Sequence, residues 1–252
     1  MKLLFLGSGS AFTVGADNFQ SNMLLIDRDN KLLIDCGSDL KFSLHKAGYS
    51  HQDITDIYIS HLHSDHVGGL EYIGFSTKFD SKCPKPNLYL SKDVADKLWQ
   101  HTLSGGMSSI NGDIAELNSF FNVNPIAYHS YFVWQKIKFY LIKVFHVNNG
   151  YSLMPSYGLF YEIDRTKVFL TTDTQLHLST MQQYYDSADL IFQDCETAKE
   201  PSKIHAHYNQ LVHLPPKIKS KMWLYGYQPG TLPNSQQDGF LGFVKRGQIF
   251  EF

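Results

Sequence analysis

The chain has 252 residues, 43% of them hydrophobic and 18% charged, a balance that supports a sizeable core and excludes intrinsic disorder. A formal net charge of −2 leaves no electrostatic footprint for nucleic acid. Three scattered cysteines, Cys36, Cys83 and Cys195, are too few for a disulfide framework or a cysteine zinc cage and read as reduced thiols of a cytoplasmic protein.

The opening "MKLLFLG" reads as a buried strand. Gly7-Ser8-Gly9-Ser10 breaks it after about four apolar residues, too early for the core of a signal peptide. No apolar run approaches the ~18 residues of a membrane span. "NMLLIDRDNKLLIDCG" is a hairpin turning at Asp29-Asn30, Ser38 to Ala47 is a short helix, and "ITDIYIS" is a strand that runs into "HLHSDHVGG". Lys92 to His101 is helical. Ser104 to Phe121 is polar and glycine-containing, and is read as a lid with hinge glycines or as a surface insertion.

"KIKFYLIKVFHV" is a long strand, and "YGLFYEID" pairs with "KVFLTTDT" across Arg165-Thr166. Gln175 to Tyr185 is helical, "DLIFQD" is a strand, and Tyr208 to Lys219 is a helix interrupted at Pro215-Pro216. "MWLYGY" is a strand, and "GFLGFVKRGQIFEF" closes the chain as a hairpin around Arg246-Gly247. Strands mixed with helices throughout, with no linker or repeat, give one layered α/β domain over residues 1–252 with mixed sheets.

The chemistry concentrates in "ISHLHSDHVGG". His61 and His63 lie two apart at a strand end and point the same way. They can share one metal, while Asp65 and His66 in the following turn can aim at a second ion. Neutral imidazole and carboxylate are zinc ligands, and a catalytic site keeps one position for water. His146 ends a strand and is either a third imidazole or a structural histidine. Asp173 ends the apolar strand "VFLTTDT", where an uncompensated carboxylate would be costly. Asp35 and Asp194 end strands too, and are either structural or hydrogen-bonded to metal histidines from behind.

"HLHSDHVGG", a later His146 and "FLTTDT", together with "FLGSGSA", "LLIDCG" and "DLIFQDCET", resemble the metallo-β-lactamase superfamily in its ribonuclease Z-like phosphodiesterase branch, over nearly the whole chain. The resemblance implies an αββα sandwich, two mixed sheets flanked by helices, with a dinuclear site at one edge. It implies His61, His63 and His146 at the first metal, Asp65 and His66 at the second, and Asp173 bridging. The metals expected are two zinc ions, with manganese as the alternative. Asp65 and His205 are the catalytic candidates, His205 as the late loop histidine that donates a proton. His207 is a further candidate for a substrate contact or substitute ligand.

Transfer-RNA processing enzymes carry a long arm between the third metal histidine and the bridging aspartate. The interval from His146 to Asp173 has no room for one. What remains is similar to the small-molecule phosphodiesterases that open cyclic nucleotides, the anti-Pycsar enzymes among them. Such a protein would be a cytoplasmic homodimer acting on a small phosphodiester, with no membrane partner. A lactonase or thioesterase on the same metals, and a metal-binding homologue with impaired catalysis, are the alternatives.

The branch usually places a last histidine for the second metal at the strand end that "WLYGY" matches, where this chain has Gly226. Three readings stay open: one tight and one weak metal, impaired catalysis, or an alignment offset that leaves Gly226 a strand-end bulge.

Overall fold

A computed structural model describes residues 1–15 and 17–252. Strands β1 (Lys2–Phe5), β2 (Met23–Asp27) and β3 (Asn30–Ile34) run antiparallel. The β2–β3 turn uses Arg28 at φ +54°, the left-handed geometry that a two-residue hairpin loop requires. Helix α1 (Leu40–Lys46) and a 3₁₀ turn at His51–Asp53 lead to β4 (Asp56–Ile59), which lies parallel to β3. Then follow α2 (Ser64–Val67), α3 (Leu70–Phe79), β5 (Asn87–Ser91) and α4 (Lys92–Leu98). The segment 104–121 contains α5 (Ser104–Met107), the ribbon β6 (Ser109–Ile110) and β7 (Asp113–Ile114), and α6 (Leu117–Phe120). Strand β8 (Asn122–Ile126) completes this half.

The second half holds β9 (Tyr131–Trp134), β10 (Ile137–Val144), β11 (Ser156–Ile163), β12 (Thr166–Leu170), α7 (Leu178–Ser187) and β13 (Leu190–Asp194). It ends with α8 (Tyr208–Leu211), α9 (Pro216–Lys219), β14 (Met222–Tyr225), β15 (Gly242–Phe243) and β16 (Ile249–Glu251). One seven-stranded sheet has the order β16-β1-β2-β3-β4-β5-β8, and the other β15-β14-β13-β12-β11-β10-β9. Both mix parallel and antiparallel pairs, as the sequence implied.

The two sheets pack face to face. Phe5 of β1 meets Phe192 of β13 at 5.3 Å between ring centroids, and Tyr58 of β4 stacks on Phe132 of β9 at 5.7 Å. Each such ring, fully buried, contributes about 2–3 kcal/mol. Leu40, Leu44, Leu70 and Ile73 of α1 and α3 join this core. A separate cluster that includes Met181, Tyr185, Leu211 and Ile218 packs α7, α8 and α9 onto the second sheet. The layering is helix, sheet, sheet, helix.

One element differs from the sequence reading. The terminal "GFLGFVKRGQIFEF" is not a hairpin: β15 lies parallel to β14 in one sheet, whereas β16 lies antiparallel to β1 in the other. The turn at Lys245–Gln248 carries the chain across the sandwich, and Phe250 lodges against Phe5, Phe192 and Trp223. Strand periodicity says which face is apolar but not which sheet accepts it. Strands β5, β8 and β9 had no distinct signal, being short and, in β8, interrupted by Pro125.

Candidate metal centre

The site groups gather at the carboxyl ends of the central strands, the rim where α/β sheets commonly bind ligands. Asp35 follows β3, His61 follows β4, His146 lies just past β10, Asp173 past β12, and Asp194 ends β13. Burial fixes the arrangement: His61, His146 and Asp194 are almost fully enclosed. Thr172, immediately before Asp173, sits at φ +53°. That is strained for a β-branched residue and re-aims the chain where Asp173 turns inward.

The residues read as ligands form two sets, and Asp173, Asp194 and His205 form a third group beside them. In the first, His63 Nδ1 lies 3.0 Å from His61 Nε2 and 3.1 Å from His146 Nε2, with Asp173 Oδ2 3.9 Å from His61 and 3.8 Å from His146. In the second, His66 Nε2 lies 3.1 Å from Asp65 Oδ2 and 3.2 Å from Asp173 Oδ2. Within each set every ligand atom is within 4.8 Å of the others. The structure thus brings together all six residues read as ligands, including His146 and Asp173 from the far half of the chain.

The hydrogen bonds behind the rings fix their tautomers. His146 Nδ1 donates to the Ile204 carbonyl at 2.8 Å, which leaves its Nε2 a lone pair. Ser60 Oγ donates to Asp35 Oδ2 at 2.8 Å and so accepts from His61 Nδ1 at 3.0 Å, leaving His61 Nε2 a lone pair as well. Asp35 also accepts His66 Nδ1 at 2.7 Å. Asp35 is therefore the carboxylate that orients ligand histidines from behind. With two lone pairs converging on His63 Nδ1, a single proton there would have to be shared between both rings, whereas one Lewis acid accepts a lone pair from each of the three.

The electrostatics fit cations in both sets. Burial, with His66 beside it, pushes His61 well below the ordinary imidazole value; burial likewise lowers His63, and takes His146 to about 4. These rings are neutral, as metal ligands must be. At His66 burial opposes charge, but Asp173, Asp65 and Asp35 overcome it and hold the ring well above its usual value. Burial equally opposes charge on Asp173, yet His66 and His205 keep it ionised. The second set therefore demands positive charge near His66 Nε2, and that buried nitrogen has no aligned hydrogen-bond partner. A divalent cation facing both carboxylates meets that demand.

His205 borders the cavity of about 450 Å³ that opens over the cluster, together with His63, Asp65, Asp173, Gln20 and Phe12. Its Nδ1 donates to Asp194 Oδ2 at 2.7 Å. Burial disfavours the charged ring, but Asp194 and Asp173 outweigh it and raise His205 to about 10. Burial pushes Asp194 up to about 6 despite His205 beside it. Asp194 also accepts the Thr174 N–H at 2.9 Å, which ties His205 to the turn carrying Asp173.

His207 lies outside the cluster. Its Nδ1 accepts the Asn209 N–H that caps α8, and its Nε2 donates to the Ala198 carbonyl at 2.8 Å, so neither ring nitrogen is left for a metal. Gly226 follows β14 at φ +78°, and its N–H donates to the Ser8 carbonyl at 2.9 Å. A Cβ there would stand 2.7 Å from Asp194 Oδ1. None of the cavity-lining residues comes from 104–121, whose Met107 and Phe120 are buried and whose Phe120 meets Phe75 of α3 edge-on at 5.2 Å. Phe12 and Gln20 had no sequence signal as site residues, because only the folded loop brings them to the rim.

His–Asp clusters of this pattern at the edge of an αββα sandwich define a metallo-β-lactamase-fold protein. Solved structures agree in fold: the metallo-β-lactamase-fold protein YhfI from Bacillus subtilis superposes with a TM-score of 0.75 at 17% identity, covering 99% of this chain and 98% of that one. The short form of human tRNase Z superposes at 0.72 with 18% identity, covering 100% and 99%. Within that fold the chain belongs to the Anti-Pycsar protein Apyc1 family, whose model matches residues 1–250. It is 33% identical over 232 residues to the Anti-Pycsar protein Apyc1 of Paenibacillus harenae, 90% of each chain. To that of Bacillus phage vB_BveM-Goe7 it is 28% identical over 260 residues, 98% of this chain and 96% of the relative.

Proposed function

We propose that the protein is a metal-dependent phosphodiesterase that hydrolyses a small, cyclic-nucleotide-like phosphodiester. The observation that carries this reading is the pair of ligand sets sharing Asp173 beside a histidine held protonated by Asp194. Family membership supports it, since the relatives are named anti-Pycsar proteins, and structural neighbours include a tRNase Z and a diphosphatase of the PhnP family.

In this reading His61, His63 and His146 hold one divalent ion, Asp65 and His66 hold another, and Asp173 serves both. Zinc suits this donor set, and manganese is the alternative. When bound, such ions lower the pKa of water and offset charge developing at phosphorus. His205 supplies a proton to the departing oxygen, and Asp194 keeps the ring oriented and charged until then. Phe12, 86% exposed at the cavity rim, offers a ring face for a nucleobase. The interval from His146 to Asp173 is filled by β11, β12 and a short loop, which leaves no arm for transfer RNA.

Gly226 supplies no side chain to the second set, so that ion is held more weakly than the first. A cytoplasmic homodimer, in which 104–121 covers a site, completes the proposal. Cys36, Cys83 and Cys195 are free thiols, and no helix among the described residues is long and apolar enough to cross a membrane.

The test is turnover of bis(p-nitrophenyl) phosphate, cyclic mononucleotides and acyl-lactones by protein reconstituted with zinc or manganese. Metal-dependent release of nitrophenol and opening of a cyclic nucleotide are expected. Turnover of lactones alone would sink the reading.

A further inference from the structure

We propose that His51, Asp80 and Cys83 form a second kind of divalent-metal site, a zinc clamp independent of the His–Asp centre. The three side chains come from two separate elements. His51 opens the 3₁₀ turn before β4, while Asp80 and Cys83 lie in the loop after α3. Their imidazole nitrogen, carboxylate oxygen and sulfur all lie within 4.8 Å of one another. His51 Nε2 is 3.2 Å from Asp80 Oδ2, close to the ligand-to-ligand spacing of a tetrahedral zinc.

The loop is built to present two donors together. Cys83 N–H donates to the Asp80 carbonyl at 3.0 Å, closing a turn with two residues between the ligands. That is the spacing with which zinc motifs place paired ligands on one ion. The opposite donor is held as firmly. Ser50 and Asp53 close a reciprocal cap on the 3₁₀ turn, and Tyr72 of α3 meets the His51 ring edge-on at 6.4 Å. Thiolate, imidazole and carboxylate together select zinc over magnesium or calcium, and the fourth position falls to water.

The groups are reachable from solvent: His51 and Asp80 side chains are about one-fifth exposed, and Cys83 is half-buried. Asp80 also accepts the Gln52 amide at 2.7 Å and the Lys82 N–H at 3.0 Å. An entering ion takes the place of the His51 N–H bond and of the thiol proton, which passes to solvent. The clamp lies a helix length from the catalytic motif, about 15 Å along α3. It would tie the far end of that helix to the strand-leading turn before β4. Its consequence is stability rather than chemistry, since a ligand that binds only the folded chain stabilises it.

The donor sets differ in a way that cobalt reports. Sulfur is absent from the His–Asp centre, and the other two thiols, Cys36 and Cys195, are fully buried. Chelator-stripped, reduced full-length protein titrated with Co²⁺ is expected to develop a thiolate-to-cobalt charge-transfer band in the near ultraviolet, which excess Zn²⁺ bleaches. Cys83→Ser should abolish the band, and Asp80→Asn and His51→Ala should weaken Co²⁺ affinity by at least about tenfold, as loss of a ligand requires. A His61→Ala, His63→Ala double variant should keep it. Absence of the band in the unaltered chain at saturating Co²⁺, or its survival in Cys83→Ser, would show that the triad is a hydrogen-bonded clasp only and overturn the proposal.

Discussion

Two of the ligand sets that share Asp173 differ in charge. The first is three imidazoles that burial keeps neutral, with tautomers set by Ser60 and the Ile204 carbonyl. The second is carboxylate-rich, and it forces positive charge onto His66 when nothing else supplies it. One pocket offers lone pairs and the other offers negative charge. The difference teaches that one cleft presents two unlike environments: the first set meets a cation with neutral nitrogens, whereas the second meets it with negative charge.

The largest effect falls on what the pockets share. Asp173→Asn should lower phosphodiester turnover by roughly a thousandfold, and metal analysis should find both ions depleted. Loss of only one ion would mean that Asp173 does not bridge. Next comes His205, the proposed proton donor. His205→Gln should reduce kcat by about a hundredfold at unchanged metal content. A fall in metal content instead would make His205 a ligand.

His146 of the first set and His205 beside the sets should also separate by pH in the chelator-treated protein. His146 is depressed to about 4. Between about 6.5 and 4 the unfolded chain therefore takes a proton that the folded chain refuses, and stability falls as pH drops through that window, by about 3 kcal/mol at most. His205 is raised to about 10. Its contribution is fully present below about 6.5 and is lost as pH rises through 10. Urea midpoints across pH measure both limbs. His146→Gln should flatten the acid limb and His205→Gln the alkaline one; unchanged curves would remove the contrast.

Smaller effects follow at the edges. Gly226→Ala forces a Cβ into left-handed backbone and against Asp194. It should cost about 1–3 kcal/mol in thermal or urea unfolding. A neutral result would mean that the β14 end can relax. Phe12→Ala should raise KM for a nucleotide roughly fivefold, about 1 kcal/mol of stacking, with kcat unchanged. An equal KM would place the base elsewhere.

His61, His63, Asp65 and His66 were legible because they fall within six consecutive positions after a strand, and period-two geometry alone points the first two together. His146 and Asp173 were legible only as strand-end polar residues whose role the resemblance implied. Asp35 and Asp194 could be read as either structural or supporting. The distance of each carboxylate from an imidazole decided that, and such distances arise across the sheet rather than along the chain. His207 shows the reverse: it stood as a candidate substrate contact or substitute ligand, but capping α8 consumes its ring nitrogens. The terminal strands misled because a turn with alternating flanks reads the same whether its arms pair together or cross the sandwich.

By itself, then, the sequence determined the layered α/β class, the metal-binding motif and the kind of ligand each strand end could offer. Local periodicity and side-chain chemistry suffice for those. Only the tertiary structure decided which carboxylate stands behind which histidine and that Asp194 charges His205. It also decided that Asp194 occupies the space beside Gly226. Those are matters of non-local contact and burial, and a carboxylate acquires its partner and its pKa only once the two sheets have closed around it.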